Sequence, residues 1–404
     1  MSSFPRLLAA GGGAHFADQL ATAALPLTAV ILLGASPGTV GTLVAMQGLA
    51  WLLISLPAGV LVDRVPKGLL IALSQGVAAL AFLAATAAAF GGTGPGLAAA
   101  CFIGAGGAVI LVLTALALVP ALVPPATLAA ANARLELARA VATLVAPVAV
   151  GVLAEKITPA LGFAAAAVAS GAAAFAALGL KVPTSETKGR APLLPAIREG
   201  ARFAVAHELL RGIALCAVFW NFAFFALLAV AVPYCLQRIG LDPKETGLAQ
   251  GGYGLGLLLG AASAASIARR FEPRAILIAG PALSTLAPLL LWLAARGGGW
   301  PAAAAAFFLV GFGPMLWLIC QTSIRQLVTP PALIGRVAAT IQVAIYGVRP
   351  LGAFAGGWVG SLLGLDAALG LVLAAFTLSL AVPLASALGR LRAMPQAVAA
   401  PAGC

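Results

Sequence analysis

The feature that most constrains this chain is a series of apolar runs, each long enough to cross a membrane as a helix. A bilayer core of ~30 Å requires about 20 apolar residues at the ~1.5 Å rise of an α-helix. Of the 404 residues, 62% are hydrophobic and 8% are charged, and the mean hydropathy is +1.09. Because lipid cannot satisfy unpaired backbone groups and strand-like alternation is absent, the sequence predicts an all-α membrane protein.

The apolar runs divide the chain into two halves. The longest polar connection, residues 181–208, falls between the sixth and seventh runs. We therefore expect a six-helix half at 1–180, a cytoplasmic linker at 181–208 and a second six-helix half at 209–404. Glycine, proline and charge clusters set the span limits. The twelve predicted spans are approximately 7–34, 39–62, 69–90, 96–120, 129–153, 159–180, 209–236, 246–267, 275–295, 301–324, 333–362 and 365–389.

The two halves carry an internal duplication. At an offset of 206 residues, SPGTVGTLVAMQG (36–48) aligns with DPKETGLAQGGYG (242–254), and VPPATL (123–128) aligns with TPPALI (329–334). Two distant matches at one offset indicate a repeat in parallel orientation.

The distribution of Lys and Arg predicts the orientation in the membrane. With the N-terminus inside, Arg139 and Arg349 lie within spans and almost all other basic residues face the cytoplasm. Both termini are thus expected to be cytoplasmic, in a multi-pass protein of the cell inner membrane. The net charge of +12 reflects this bias and needs no nucleic-acid partner. The only basic residues outside would be Lys156, Arg238, Lys244 and Arg296.

The sequence carries no pattern typical of a catalytic, metal or cofactor site. The five cysteines lack CxxC or His-linked spacing, and we expect them to be small core residues. The two histidines lie in different halves, and no Gly-rich Lys-Ser/Thr motif indicates nucleotide binding. We therefore expect no enzyme activity, no cofactor and no metal, and transport powered by a gradient.

PAGVLVDRVPKG, residues 57–68, resembles the loop between helices 2 and 3 of the major facilitator superfamily. The resemblance implies a twelve-helix fold whose halves rock about a midplane cavity, and it implies a gating role for this loop. The alternative is a charge cluster that sets topology. Gly59, Leu61, Asp63, Arg64 and Lys67 match the family loop, whereas Pro66 and Gly68 depart from it.

Other segments are similar to one branch of that family, the drug-efflux relatives that include macrolide exporters and the enterobactin exporter. They are ADQLATAALPLTAVILLGASPGTVG, LVPPATLAAANAR and REGARFAVAHELLRGIAL. Residues 144–153 resemble the helix 5 signature of antiporters at Pro147 and Gly151, although a kinked, closely packed helix explains this match equally well.

Asp18 is an unusual residue because a carboxylate at mid-membrane costs roughly 2.5–3.5 kcal/mol and is expected to face the bundle interior. It lies 11 residues past Leu7, ~16 Å deep, while Arg139 lies 10 residues past Ala129, ~15 Å deep. This depth count predicts an Asp18–Arg139 pair. Glu136, three residues before Arg139, competes as its partner.

Three roles for Asp18 stay open: a structural ion pair with Arg139, a proton carrier and a counter-ion for a cationic substrate. His15 and Gln19 share a helical face with Asp18, which predicts a polar stripe directed at the cavity.

Arg349 is a second intramembrane cation, and its span contains no acidic residue. It is expected either to meet an anionic ligand in a wet cavity or to bond to carbonyl groups. Amide and aromatic side chains suit a loosely bound amphiphile, although Trp and Tyr near span ends also anchor helices at the interface. The other cavity candidates, besides Gln19, are Gln47, Trp51, Asn221, Phe222, Tyr253, Trp317, Gln321, Gln342 and Tyr346.

These features predict a secondary active transporter that exports a small amphiphile, a drug-like compound or a siderophore, by alternating access with proton antiport. An uptake carrier or uniporter for a small metabolite or organic anion is the alternative within the same fold. A transport-inactive scaffold or sensor is the alternative of another class. The expected partners are the substrate, protons and the lipid bilayer, and the expected state is a monomer.

Overall fold

The computed structural model describes residues 3–124, 127–180, 193–330 and 333–396, and nearly all of them are helical. The long helices are α1 (Ser3–Ile31), α2 (Pro37–Arg64), α3 (Lys67–Phe90), α4 (Gly94–Leu122), α5 (Leu128–Lys156), α6 (Leu161–Leu178), α7 (Leu193–Ala206), α8 (Glu208–Tyr234), α9 (Pro243–Arg270), α10 (Pro273–Leu293), α11 (Gly299–Val328), α12 (Ile334–Leu362) and α13 (Leu365–Ala385).

Ten helical segments among the described residues are long and apolar enough to cross a membrane. One of them, Pro273–Val328, contains both α10 and α11. The segment α1 is not among the ten, and it carries the strongly polar His15, Asp18 and Gln19. The expectation of an all-α membrane protein is confirmed.

The connection between α10 and α11 depends on glycine. A short π-helical turn, Ala294–Gly298, reverses the chain, and within and after it Gly297 has φ +109° and Gly299 has φ +57°. Residues with a Cβ avoid this region of backbone conformation, so the GGG run of 297–299 permits a reversal with almost no loop.

The two halves use the same helix pairings. In the first half α1 packs on α5 and α6, α3 packs on α4 and α6, and α2 packs on α4. At an offset of 206 residues these helices correspond to α8–α13, and the corresponding pairs pack in the second half: α8 on α12 and α13, α10 on α11 and α13, and α9 on α11. The packing therefore supports the duplication predicted from the sequence.

Equivalent helix starts are capped in the same way. Ser36 precedes α2, and its side chain accepts a hydrogen bond from the Thr39 backbone N–H. Asp242 precedes α9, accepts from the Glu245 N–H at 2.7 Å and forms a full capping box with the Glu245 side chain. Each cap is followed by a proline at the first helical position, where the missing backbone N–H of proline costs no helical hydrogen bond.

The halves touch each other through two equivalent helix crossings at one end of the molecule. On one side Gly41 of α2 meets α12, where an added Cβ would lie 2.6 Å from the Ala353 carbonyl oxygen and 2.7 Å from the Gly357 Cα. On the other side Gly151 of α5 meets α9, where an added Cβ would lie 2.6 Å from the Pro243 carbonyl oxygen. We call the end formed by these crossings the closed end.

The closed end is also joined by a hydrogen bond between the halves. The Gly38 backbone N–H donates to the Ser361 Oγ at 2.7 Å. Helices this close exclude side chains, so the two crossings seal the space between the halves.

We call the opposite end the basic end because Arg64, Lys67, Arg270 and Arg336 lie at its helix termini, and several described glycines of the facing helices have open space around them there. A Cβ added at Gly59 of α2 or at Gly335 or Gly347 of α12 would meet no atom within 4 Å. The space between the halves is therefore a cavity that opens at the basic end.

The predicted linker contains a helix that the sequence analysis did not foresee. Residues 181–192 lie outside the described part, and α7 forms most of the remainder. This helix packs along α12, and Glu199 forms an ion pair with Arg336.

Four cysteines lie in the described part, and none of them forms a disulfide. Cys101, Cys216 and Cys235 are buried and Cys320 is half-buried, as expected for small core residues. Cys404 lies outside the described residues.

Candidate functional site

The first wall of the cavity is the polar face of α1. His15, Asp18 and Gln19 are half-buried, in contrast to the fully buried Ala14 and Ala17 beside them. The neutral Gln19 directly follows Asp18 on this face. One turn further, the Thr22 hydroxyl accepts a hydrogen bond from the Gln47 side chain of α2 at 2.8 Å. Thr22 was not singled out in the sequence, although its i+3 and i+4 spacing from the stripe is a signal for it.

Arg139 lies on the neighbouring helix α5, and its partner is Glu136. Its Nη2 lies 2.7 Å from the Glu136 carboxylate, and its Nε donates to the same oxygen at 2.9 Å. The two side chains are 42% and 59% exposed although they lie well inside a helix. Arg139 is within electrostatic reach of His15 on α1 and Tyr253 on α9, which places it on the side that faces the space between the halves. Of the two predicted pairings, the structure contains the Glu136 pair.

The register of α1 against α5 explains why Asp18 does not reach Arg139. A Cβ on Gly12 would contact the Ala138 Cβ at 3.7 Å, which places Asp18 about 7 Å further along the helices than Arg139. Asp18 makes no ion pair within the described part of the chain. His15 is the residue of the stripe nearest the basic end, and it lies within electrostatic reach of both Arg139 and Glu136.

Arg349 forms the opposite wall, on α12. Its Nε donates to the Asn221 Oδ1 of α8 at 3.0 Å, and the Asn221 Nδ2 in turn donates to the Ala217 carbonyl at 2.9 Å. The guanidinium carbon lies 4.8 Å from the Tyr346 ring centroid and 5.2 Å from that of Phe225. Such contacts hold a guanidinium by its face and leave its edge free.

The two arginines lie on equivalent helices of the two halves, α5 and α12. They are within electrostatic reach of each other, and both are within reach of Tyr253 on α9. The Tyr253 ring packs at 5.2 Å from Phe224, which stacks at 5.0 Å on Trp220. Charged, phenolic and aromatic groups thus converge at the inner end of the cavity.

An aromatic pair joins the halves at this inner end. Trp51 of α2 and Tyr346 of α12 have ring centroids 5.5 Å apart. Phe225 also approaches α2, where a Cβ added at Gly48 would lie 3.4 Å from its ring. Gln342, one turn before Tyr346, is exposed.

Three predicted cavity residues have other positions. Trp317 and Gln321 of α11 are buried, at 9% and 4% exposure, and Trp317 packs against Gly280 of α10, so both belong to the core of the second half. Phe222 lies with its backbone against Gly352 of α12, and the aromatic residue beside Arg349 is Phe225. The i+4 spacing of Phe225 from Asn221 was the available signal.

The described residues of the 57–68 loop show few interactions at their side chains. Gly59 has open space around it and Arg64 is exposed, and neither Arg64 nor Lys67 has an ion-pair partner among the described residues. The side chain of Asp63 lies outside what the structure describes.

Comparison with known proteins places this arrangement in a family. The sequence model of the Major Facilitator Superfamily matches residues 7–226. The chain belongs to the Major Facilitator Superfamily. It is therefore a membrane transporter by fold and family, and no curated protein is significantly similar to it in sequence.

Several solved structures of this superfamily's fold cover nearly the whole chain. The nucleoside transporter NupG is 11% identical with a TM-score of 0.77, and the match covers 95% of this chain and 98% of that one. A POT family transporter in complex with 5-aminolevulinic acid is 14% identical with a TM-score of 0.76 (95% and 96% covered). A bacterial homologue of the iron transporter ferroportin in an inward-facing state is 15% identical with a TM-score of 0.74 (95% and 98% covered). At these identities the likeness shows the fold alone.

Proposed function

We propose that this chain is a secondary active transporter that exports a small amphiphilic molecule across the inner membrane by alternating access, in exchange for protons. The observation that carries the proposal is the cavity between the halves, sealed by two helix crossings at one end and open at the other. A cavity with this geometry needs only a rocking motion of the halves to face the opposite side.

Direction and orientation rest on sequence arguments. With both termini in the cytoplasm, as the Lys and Arg distribution indicates, the basic end faces the cytoplasm and the cavity loads from there. The open space around Gly59, and the lack of an ion-pair partner for Arg64 and Lys67 among the described residues, agree with a gate that is released in this state. The similarity of several segments to drug-efflux relatives favours export over uptake.

Asp18 is the proposed proton-coupling residue. It is half-buried on the cavity wall, and it has no ion-pair partner among the described residues. A carboxyl group in this setting can exchange a proton with cavity water without breaking a salt bridge. A structural pair with Arg139 is the weaker hypothesis because Arg139 is paired with Glu136.

Proton movement in proteoliposomes tests this proposal. We expect a substrate-driven proton flux in the wild type and none in Asp18→Asn, with the variant still inserted and folded. Asp366→Asn is a matched control because that carboxylate is exposed and pairs with Arg238 at the closed end. Unchanged, pH-dependent transport by Asp18→Asn would rule out Asp18 as the coupling residue. Transport that never moves protons would favour the uniporter alternative.

A further inference from the structure

The two arginines of the cavity wall differ in their partners. Arg139 is neutralised by Glu136, whose carboxylate it contacts through two nitrogens. Arg349 contacts no carboxylate in the described part of the chain, and its one hydrogen-bond partner is the neutral Asn221. Arg349 is therefore a positive charge without an acidic partner in the described part of the chain, and it is not paired with Asp18 on the opposite wall.

The hydrogen-bonding groups of Arg349 are partly unused. Its Nε is taken by Asn221, whereas its two terminal nitrogens donate to no described residue. These two nitrogens form one edge of the guanidinium plane, the edge that binds two oxygens of a planar anion in parallel. The Tyr253 hydroxyl likewise donates to no described residue, and it lies within electrostatic reach of Arg349.

The surroundings of Arg349 are aromatic. Tyr346 and Phe225 flank its guanidinium, and nearby Tyr253 packs against Phe224, which stacks on Trp220. An isolated anion would gain little from such walls, whereas an aromatic or apolar body would bury its surface against them.

We infer that Arg349 binds the carboxylate of a monoanionic aromatic acid, whose ring packs among Phe225, Tyr346 and Tyr253. This inference rests on the proposed transport function and names its substrate class. One free edge on an arginine that has no acidic partner in the described part of the chain matches a single carboxylate better than a phosphate, which offers a third acceptor oxygen and a second charge. Asn221 acts as a positioning residue that fixes the Arg349 plane.

Equilibrium binding to the purified full chain in lipid nanodiscs tests the inference, with salicylate as the anionic probe and salicylamide as its neutral counterpart. We expect the wild type to bind salicylate at least about tenfold more tightly, the size of a hydrogen bond to a charged group. Arg349→Gln should remove this preference. Arg349→Lys should keep part of it, since the charge remains but the two-nitrogen edge is lost.

Arg269→Gln is the control for loss of one positive charge, because this exposed arginine lies in the last turn of α9, about 24 Å along the helix from Tyr253. It should leave the preference unchanged. Equal binding of the two probes by the wild type, binding of neither, or a preference that survives Arg349→Gln would overturn the inference. Because binding is measured without a gradient, a protein that binds salicylate but moves no protons would fail the proposed coupling and still support this site.

Discussion

Asn221 decides how much charge Arg349 presents to the cavity. Its amide oxygen accepts from the Arg349 Nε at 3.0 Å, so it orients the guanidinium without neutralising it. The same position in the first half, at the offset of 206 residues, is His15, which lies near the Arg139–Glu136 pair. In each half an arginine therefore lies near the first helix of that half, Arg139 near α1 and Arg349 near α8. Within the described part of the chain, only Arg139 has an acidic partner.

Asn221→Asp should abolish the preference for salicylate although Arg349 is still present. The substitution is nearly isosteric and puts a carboxylate where the amide oxygen accepts its hydrogen bond, so the arginine becomes internally paired. We expect the affinities for salicylate and salicylamide to become equal within about threefold in nanodisc titrations. Asn221→Ser, which stays neutral, is the control and should retain a preference. A salicylate preference of wild-type size in Asn221→Asp would show that Arg349 does not hold the carboxylate.

Side-chain positions could be predicted only where a helix was read in isolation. The stripe of His15, Asp18 and Gln19 could be predicted from helical spacing alone. To predict the partner of Arg139, one must know the register of α1 against α5. The depth count gave the wrong register because α1 begins about one turn earlier than expected. Trp317 and Gln321 were expected in the cavity because they are polar or aromatic, yet both lie in the core of the second half, a distinction that requires the rotation of α11.

The two helix crossings of the closed end depend on glycine for a geometric reason. Gly41 and Gly357 bring the backbones of α2 and α12 together, and Gly151 and Gly247 do the same for α5 and α9, at positions related by the 206-residue offset. An added Cβ at Gly41 would overlap a carbonyl oxygen and a Cα, neither of which can rotate away. The seal is therefore a backbone contact that any larger residue must open.

Gly41→Val and Gly247→Val should each shift the protein away from the state with the closed end sealed. Overpacking of a tight contact costs about 1–3 kcal/mol, which corresponds to a roughly 5- to 150-fold change in the ratio of states. Spin labels at Leu32 and Leu363, exposed residues of opposite halves near the closed end, can measure the change as a longer distance.

Gly76→Val and Gly370→Val are the matched controls, because a Cβ at either position meets no atom within 4 Å. They should leave the distance distribution as it is in the parent protein. If Gly41→Val and Gly247→Val also leave it unchanged, the crossings do not hold the sealed state.

At the scale of the whole molecule, hydropathy and the repeat predicted most of the architecture. The offset of 206 residues, read from two short matches, recurs in the helix pairings, the caps at Ser36 and Asp242, and both crossings. The helix α7 was missed because it is amphipathic and lies in a polar segment, so a search for apolar runs passes over it. Which end is sealed also could not be read from the sequence, since both states of a rocking transporter must suit the same residues.

The central claim is that the inner end of the cavity becomes accessible alternately from the two ends. A disulfide between Gly38→Cys and Ser361→Cys can hold the closed end shut, since a Cβ at Gly38 would lie 3.5 Å from the Ser361 Cβ, within the range of disulfides. The most direct measurement adds Tyr346→Cys at the inner end and labels it in vesicles with a membrane-impermeant maleimide. The account predicts labelling from the closed-end side only while the disulfide is reduced, and labelling from the basic-end side in both states. Labelling from the closed-end side that is unaffected by the disulfide would contradict it.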